Sequence, residues 1–248
     1  MNINKEQMEL ERDRIYIYDE QNRLVDVVDT ITNHYISSYK YEVVDGADVV
    51  TTTQYDFNGE VSGTSISRYQ HGLLIQEDDR KYFYDDHNNL LKVEHEYSGS
   101  YELYFYKDDK VIKKEDHEKD EDGDYILCLS ECDENGHIIK KTHFSRARGK
   151  HSKVRDIATY SYNGLGLLAE ISSSRRQYLK ECFYDKNNRL AVERVESLSG
   201  SSETNYFYDY DGLLYEEITN DNTGVTLIQY EYNKDKKLVR ETAYVRKK

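Results

Sequence analysis

Proline and tryptophan are absent from the 248 residues, cysteine occurs three times and methionine twice. Average usage would supply about 12 prolines. Proline removes a ladder donor and is kept out of central strands, so a chain made mostly of paired strand tolerates few. Composition drift toward Asn, Lys, Ile and Tyr is an alternative source of the same absence. Three cysteines, Cys128, Cys132 and Cys182, do not make a disulfide framework. No apolar stretch approaches the roughly 18 residues of a membrane-spanning helix. The first residues, MNINKEQMELERDR, have no apolar core of the kind a signal peptide needs, and the expected location is the cytoplasm. Positive charge is also in deficit: 34 Lys and Arg face 48 Asp and Glu, a formal −14. Nucleic-acid binders gain affinity by neutralising phosphates, so direct DNA or RNA binding is excluded as an expectation. An acidic surface instead favours encounter with basic proteins, or serves solubility alone.

Tyrosine is abundant, with 25 copies. It buries a large ring while keeping a hydroxyl able to reach a partner, which suits thin sheets and argues against disorder. Ten variants of a short phrase built on Tyr-x-Tyr-Asp run from Tyr16 to Leu238. Six share a nine-residue register: Tyr16–Leu24, Tyr82–Leu90, Tyr160–Leu168, Cys182–Leu190, Tyr206–Leu214 and Tyr230–Leu238. Four are worn: Thr53–Val61, Ser67–Leu74, Tyr104–Val111 and Ser130–Ile138. A unit this small cannot bury a core alone and must stack on its neighbours.

The first copy, YIYDEQNRL, reads as a hairpin. Asp19 opens the turn because its carboxylate can accept bonds from backbone N–H groups two residues on. Asn22 sits where φ must be positive, and Asn88, Gly166, Asn188 and Gly212 take the same place elsewhere. The spacing predicts a three-residue hairpin with Tyr18 opposite Leu24 and Asp19 opposite Arg23. Asp185 and Arg189 repeat that charge pair. The copies at Ser67 and Tyr104 are one residue shorter and read as two-residue turns. The middle residue of Tyr-x-Tyr points to the other face; it is Ile17, Phe83, Phe105, Phe183 and Phe207 in five copies. Both faces are thus apolar near the hairpin tips, and the sheet is expected to curl on itself or pack against a second layer.

The expected fold is all-β: tandem hairpins in a long, twisted antiparallel meander. Residues 1–15 form a cap segment, with a short helix over the open sheet edge or an extended cap, and residues 16–248 form a single repeat domain. The charged tail Arg246–Lys248 would blunt the other edge.

The phrase Tyr-x-Tyr-Asp-x-x-Gly-Arg-Leu is the signature of the RHS/YD-repeat family. Tyr16–Leu24 and Cys182–Leu190 resemble it, with Asn in place of Gly, and the likeness extends from Tyr16 to about Glu241. In that family the repeats build a spiralling β-sheet shell, which in large bacterial members encloses a toxin domain. The resemblance implies structural repeats with no catalytic residues to carry over. This chain is far shorter than such a shell, and it is expected to lack the toxin domain that follows the repeats in those members. The role the likeness implies is a small cytoplasmic immunity protein that binds and neutralises a toxin effector.

Residues that could carry chemistry are few. No nucleophile elbow occurs. His34, His71, His87, His95, His117, His137, His143 and His151 show no metal-binding spacing. Cys128 and Cys132 lack the second pair a zinc site uses. Asp120, Asp122 and Asp124 alternate like calcium ligands without the glycine and closing glutamate of that loop. No enzyme, metal or cofactor is expected. Two charged insertions are the candidate partner-binding segments, because binding residues concentrate on loops held by a scaffold. The acidic one offers Glu115, Asp116, Glu118, Asp120, Glu121, Asp122 and Asp124; the basic one offers Arg146, Arg148 and Lys150. Solvated connections paired with each other are the plainer reading. The expected function is a non-enzymatic protein-binding module, most simply an immunity protein whose partner is a toxin with a basic surface. That module is expected to be a monomer or small homo-oligomer, with no nucleic acid or membrane bound. The alternatives are a structural fragment of a larger shell and a carbohydrate-binding or hydrolytic β scaffold.

Overall fold

The computed structural model describes residues 5, 8–120, 123–145, 153–173, 175 and 177–247. Twenty strands alternate with short turns. They are β1 (Glu9–Tyr18), β2 (Leu24–Asp29), β3 (His34–Val44), β4 (Ala47–Tyr55), β5 (Val61–Gln70), β6 (Leu73–Glu77), β7 (Arg80–Tyr84), β8 (Leu90–His95), β9 (Tyr101–Lys107), β10 (Lys110–Asp120) and β11 (Gly123–Cys132). The second half continues with β12 (Ile138–Ser145), β13 (Lys153–Tyr162), β14 (Leu168–Ser173), β15 (Tyr178–Tyr184), β16 (Leu190–Ser197), β17 (Gly200–Tyr208), β18 (Leu214–Asn220), β19 (Gly224–Tyr232) and β20 (Leu238–Lys247). All belong to one sheet, and no α-helix occurs among the described residues. By internal packing the chain divides into a first unit, Met1–Tyr41, Val50–Ser65 and Glu181–Lys248, and a second unit, Glu42–Val49 and Ile66–Lys180.

The tip geometry follows the sequence. In the first hairpin Tyr18 faces Leu24 and Tyr16 faces Val27, with a bulge beside Tyr18. Asp19 Oδ1 accepts the Arg23 N–H at 2.8 Å, and Arg23 Nε donates to Asp19 Oδ2 at 2.7 Å. Asp185 repeats both bonds with Arg189 at 3.0 and 2.8 Å. Asn22, Asn188 and Gly212 have φ of 66°, 62° and 82°. Lys236 fills the same slot at φ 60° without the freedom of glycine or asparagine. The shorter copies turn in two residues, His71–Gly72 and Asp108–Asp109, all four with positive φ, as a hairpin-type turn requires.

A second set of bonds joins each hairpin to the next. The second tyrosine of the phrase donates its hydroxyl to the carbonyl of the turn-closing leucine one hairpin earlier. Tyr41 reaches Leu24 at 2.9 Å, Tyr106 reaches Leu90 at 2.9 Å, Tyr208 reaches Leu190 at 2.9 Å and Tyr232 reaches Leu214 at 2.9 Å. Tyr84 and Tyr162 do the same with Leu74 and Ile138. The residue before that leucine lies over the same ring: Arg23 over Tyr41 at 4.5 Å, Arg189 over Tyr208 at 4.4 Å, and His137 stacked on Tyr162 at 4.7 Å. Tyr, Arg and Leu of the phrase are therefore fixed by a neighbour about one hairpin away, as well as by their own turn.

Two expectations are corrected. The N-terminal helix is replaced by strand from Glu9, and the meander is not open: β1 pairs with β2 on one side and with β20 on the other. Tyr18 donates to the Leu238 carbonyl at 3.0 Å, and Lys237 lies 5.0 Å over the Tyr18 ring, so the first and last repeats interlock like any neighbours. The strand character of residues 9–14 is hidden because its alternation is one of charge. Arg12 and Arg14 share the tyrosine face with Glu241, whereas Asp13 points the other way. Asp13 is only 6 % exposed and accepts bonds from Arg240 Nε (2.8 Å) and Nη2 (2.7 Å), Thr30 Oγ1 (2.6 Å) and Thr242 Oγ1 (3.2 Å). Together these bonds hold its carboxyl down at about 2, against a burial penalty that acts the other way. Lys5 and Met8 do cover part of the last strands. Met8 packs on Ile218, Val225 and Leu227, and Lys5 Nζ donates to Gln229 Oε1 at 2.8 Å.

A further correction concerns the face opposite the tyrosines. No second layer covers Ile17, Phe83, Phe183 or Phe207, which are exposed. Cations lie over the rings instead: Lys113 is 3.8 Å from the Phe105 centroid and Arg194 is 5.0 Å from that of Phe183. The buried apolar cluster among the described residues is small, formed by Ile218, Val225 and Leu227. Hydrogen-bonded ladders and tyrosine interlocks therefore carry more of the stability here than a deep apolar core.

Candidate functional site

The bulge after each tip shifts register so that the third residue past the turn leucine falls on the tyrosine face. In the first unit this slot holds Glu193, Glu217 and Glu241 in successive repeats. Glu217 faces Tyr206 and Glu241 faces Tyr230 across their hairpins. Tyr230 donates to Glu217 Oε2 and Tyr16 to Glu241 Oε2, each at 3.3 Å. Arg12 Nη2 ends the row 2.7 Å from Glu241 Oε1, an ion pair poorly aligned for a hydrogen bond. Burial raises the Glu217 carboxyl above its ordinary range. The Tyr230 hydroxyl works against that, and the charges of Glu193 and Glu241 add to it. Burial, then Glu193 and Glu217, push the Tyr206 hydroxyl up to about 12. Chemically this is a strip of half-buried carboxylates that favours bound protons or a cationic neighbour.

In two hairpins of the second unit the same slot holds Lys114 and Lys141, and in the others Glu77, Val93 and Ile171. Lys114 Nζ lies 3.1 Å from Glu102 Oε2 and 3.1 Å from Asp116 Oδ1, and Tyr104 donates to Glu102 at 2.6 Å. Burial alone would lower the lysine; its two carboxylate partners outweigh that and raise it. Burial and then the Glu102 bond push Tyr104 up to about 12. The thiols of Cys128 and Cys132 are raised by burial and are free. Among the described residues no three His, Cys, Asp or Glu side chains are grouped to hold a metal.

The acidic candidate segment is not a loop. Glu115, Asp116, Glu118 and Asp120 lie in β10 and Asp124 in β11. Strand alternation places Glu115 and Asp116 on opposite faces. Glu115 pairs with Lys113 (3.0 Å) and His117 (3.1 Å), and His117 with Asp124 (3.0 Å), beside the Tyr101 ring, whereas Asp116 joins Lys114 on the tyrosine face. Glu118 is in β10 with partners of its own. Glu121, Asp122, Arg146, Arg148 and Lys150 lie outside the described residues.

Sequence reasoning missed three features. The Leu-x-x-Glu spacing in LAVE, LYEE and LVRE was a readable signal for the carboxylate strip. Tyr39-x-Tyr41, before the Asp45–Gly46 turn, is a further copy whose tip lacks the usual phrase. The Thr53–Val61 hairpin has the expected turn, with Asp56 N–H donating to the Glu60 carbonyl at 2.8 Å, but it sits beside the β2–β3 turn, where His34 Nδ1 is 3.1 Å from the Phe57 carbonyl. That is the end of the first unit opposite the Asp19 tip. A shallow depression of about 310 Å³ between β16, β17 and the β18–β19 turn is lined by Arg194, Glu203 and Asn220 among others. The Arg194–Glu203 pair (2.8 Å) spans it.

No protein-family profile and no curated protein matches this chain. Solved structures similar to it include a Tc holotoxin pore of Photorhabdus luminescens, at 13 % identity and a TM-score of 0.37, with 91 % of this chain and 13 % of that one covered. A porin-like protein of Bacteroides uniformis is similar at 12 % identity and a TM-score of 0.40, covering 86 % of this chain and 95 % of that one.

Proposed function

We propose that this chain is a non-enzymatic protein-binding module, and that its partner is a bacterial toxin effector neutralised in the cytoplasm of the producing cell. The observation that carries this reading is the pairing of β1 with both β2 and β20. A shell fragment adds to its neighbours through free strand edges; here the first and last strands use theirs on each other. The resemblance of the tyrosine phrases to the RHS/YD repeat supports the toxin context, and the formal −14 favours a basic partner. A water-facing role also fits the face opposite the tyrosines. A lipid-facing sheet needs an apolar band about 25 Å tall, and Lys92 and Lys113 stand directly across the ladder from Phe83 and Phe105.

Co-expression with a bacterial toxin effector that carries RHS/YD repeats tests the reading. Protected cells and a complex of defined stoichiometry on a sizing column are expected. Unprotected cells with no complex would dispose of it. Open-ended oligomers of the isolated chain would favour the scaffold reading instead.

A further inference from the structure

The paired turns β2–β3 and β4–β5 of the first unit carry large apolar side chains that nothing in the fold requires. Phe57 is 83 % exposed, Val61 62 % and Ile31 50 %. Phe57 occupies the turn position after the opening aspartate. The same position holds Glu20, Asp86, Glu134, Gly164, Lys186, Tyr210 and Lys234 in other hairpins, so the turn itself does not select an apolar residue. What the turn does need is present without Phe57: Asp56 Oδ1 accepts the N–H groups of Asn58 (2.8 Å) and Glu60 (2.9 Å), and Gly59 takes φ 79°. Val61 fills the leucine slot of the phrase, which is half-buried in the first hairpin at Leu24, yet here it stands in water. The two turns are neighbours. His34 Nδ1 is 3.1 Å from the Phe57 carbonyl, and the His34 ring is within 3.5 Å of where a Gly59 side chain would begin.

The two turns and their flanking strands carry more acid than base, although Arg14 faces Asp29 across the β1–β2 ladder. Residues 24–41 and 50–65 contain Asp26, Asp29, Asp56 and Glu60 against a single cation, Lys40. Asp29 Oδ1 is held at the turn by the N–H groups of Ile31 and Thr32, both at 2.9 Å. The Asp56 carboxyl is kept below its ordinary range by backbone bonds, chiefly from Glu60, and is ionised at neutral pH. Exposed apolar side chains and carboxylates on the same two neighbouring turns are complementary to apolar side chains flanked by Lys or Arg.

We infer that the Ile31–Phe57–Val61 turn pair is the docking surface of this chain, and that it takes a partner segment presenting apolar side chains between basic ones. The inference rests on the protein-binding reading above and names the surface and the partner chemistry. It is distinct from the acidic β10–β11 hairpin, whose carboxylates Glu115, Asp116 and Asp124 are already paired with Lys113, Lys114 and His117.

The test titrates the isotope-labelled full chain with a synthetic peptide of alternating Leu and Lys, and with its Leu/Glu counterpart as control, at physiological salt. Amide resonances of Ile31, Phe57, Gly59 and Val61 are expected to move with the basic peptide and not with the acidic one. Phe57→Ser should weaken that binding at least about tenfold, a change of roughly 1.4 kcal/mol, while Tyr210→Ser, which removes a still more exposed turn aromatic, leaves it unchanged. Perturbations centred elsewhere, equal binding of both peptides or an indifferent Phe57→Ser would overturn the assignment. In the co-expression assay the two readings separate: a Phe57→Ser chain that still protects cells refutes this surface alone, whereas failure of the unsubstituted chain refutes the reading beneath it.

Discussion

One slot of the repeat, three residues past the turn leucine, is glutamate in three successive hairpins of the first unit and lysine in two hairpins of the second; elsewhere it holds Val27, Glu77, Val93 and Ile171. Glu193, Glu217 and Glu241 stand in a row of like charges relieved by tyrosine hydroxyls and, at its end, by Arg12. Lys114 is instead boxed by carboxylates on both sides. The backbone geometry is the same in both, so the slot tolerates either sign provided the neighbours adapt. The first unit leaves part of its repulsion in place; the second neutralises its charge locally. Half-buried charge is permitted by this thin sheet, but its contribution to stability differs in sign between Glu217 and Lys114.

The largest expected effect breaks the second unit. Lys114→Met leaves Glu102 and Asp116 half-buried without their shared cation. A loss of about 3 kcal/mol is expected, read by urea unfolding, and a loss under about 0.5 kcal/mol would show the pair to be solvated and the contrast between the units false.

Next, acid should weaken the first unit at its terminal seam. The Asp13 carboxyl is held at about 2, below its ordinary 3.8. A folded value below the unfolded one contributes stability that is complete above the unfolded value. It is lost as pH falls from about 4 toward 2, and the shift corresponds to about 2 kcal/mol. Unfolding measured across that range should show the loss in the parent chain and its absence in Asp13→Asn, which is already destabilised at neutral pH.

The tyrosine interlock can be subtracted in one unit and added in the other. Tyr208→Phe removes the hydroxyl bound to the Leu190 carbonyl and should cost about 1 kcal/mol. Cys132 stands where other copies place that tyrosine, so Cys132→Tyr should reach the Val111 carbonyl and gain a similar amount. Equal stability of both variants and the parent would mean that the hydroxyl bonds merely replace water.

The smallest effect sharpens the charge comparison. Glu217→Gln removes the middle carboxylate and should stabilise the chain by under about 1 kcal/mol near pH 8. Because the folded Glu217 value lies above the unfolded one, the repulsion is present above the folded value and fades as pH falls through it. The advantage of the variant should therefore shrink on acidification; an advantage independent of pH would assign it to packing.

The turns were legible because their chemistry is local. Asp19, Asn22 and Arg23 satisfy each other within five residues, and any chain carrying that phrase meets the same backbone demands. Strand β1 was not legible, since Arg12, Asp13 and Arg14 alternate against Glu241 and Arg240 at the far end of the chain, and hydropathy does not register such a pairing. The position of the Thr53–Val61 hairpin was hidden for a different reason: turns at both ends of a meander use the same residues, and only the count of intervening strands decides the end. The acidic segment around Glu115 read as an insertion because its charges have no apolar period. Its partners, Lys113, Lys114, His117 and Asp124, become visible only once the β10–β11 register is set.

By itself the sequence determined that this protein is built of hairpins, where most of them turn, and that Asn22, Asn188 and Gly212 take a positive φ, because those outcomes are settled by steric and hydrogen-bond preferences within a few residues. Tertiary structure alone decided that Tyr18 meets Leu238, that Asp13 meets Arg240 and that Phe57 is left standing in water. Those contacts depend on which strands become neighbours, a matter of cumulative register over the whole ladder that no short stretch of sequence encodes.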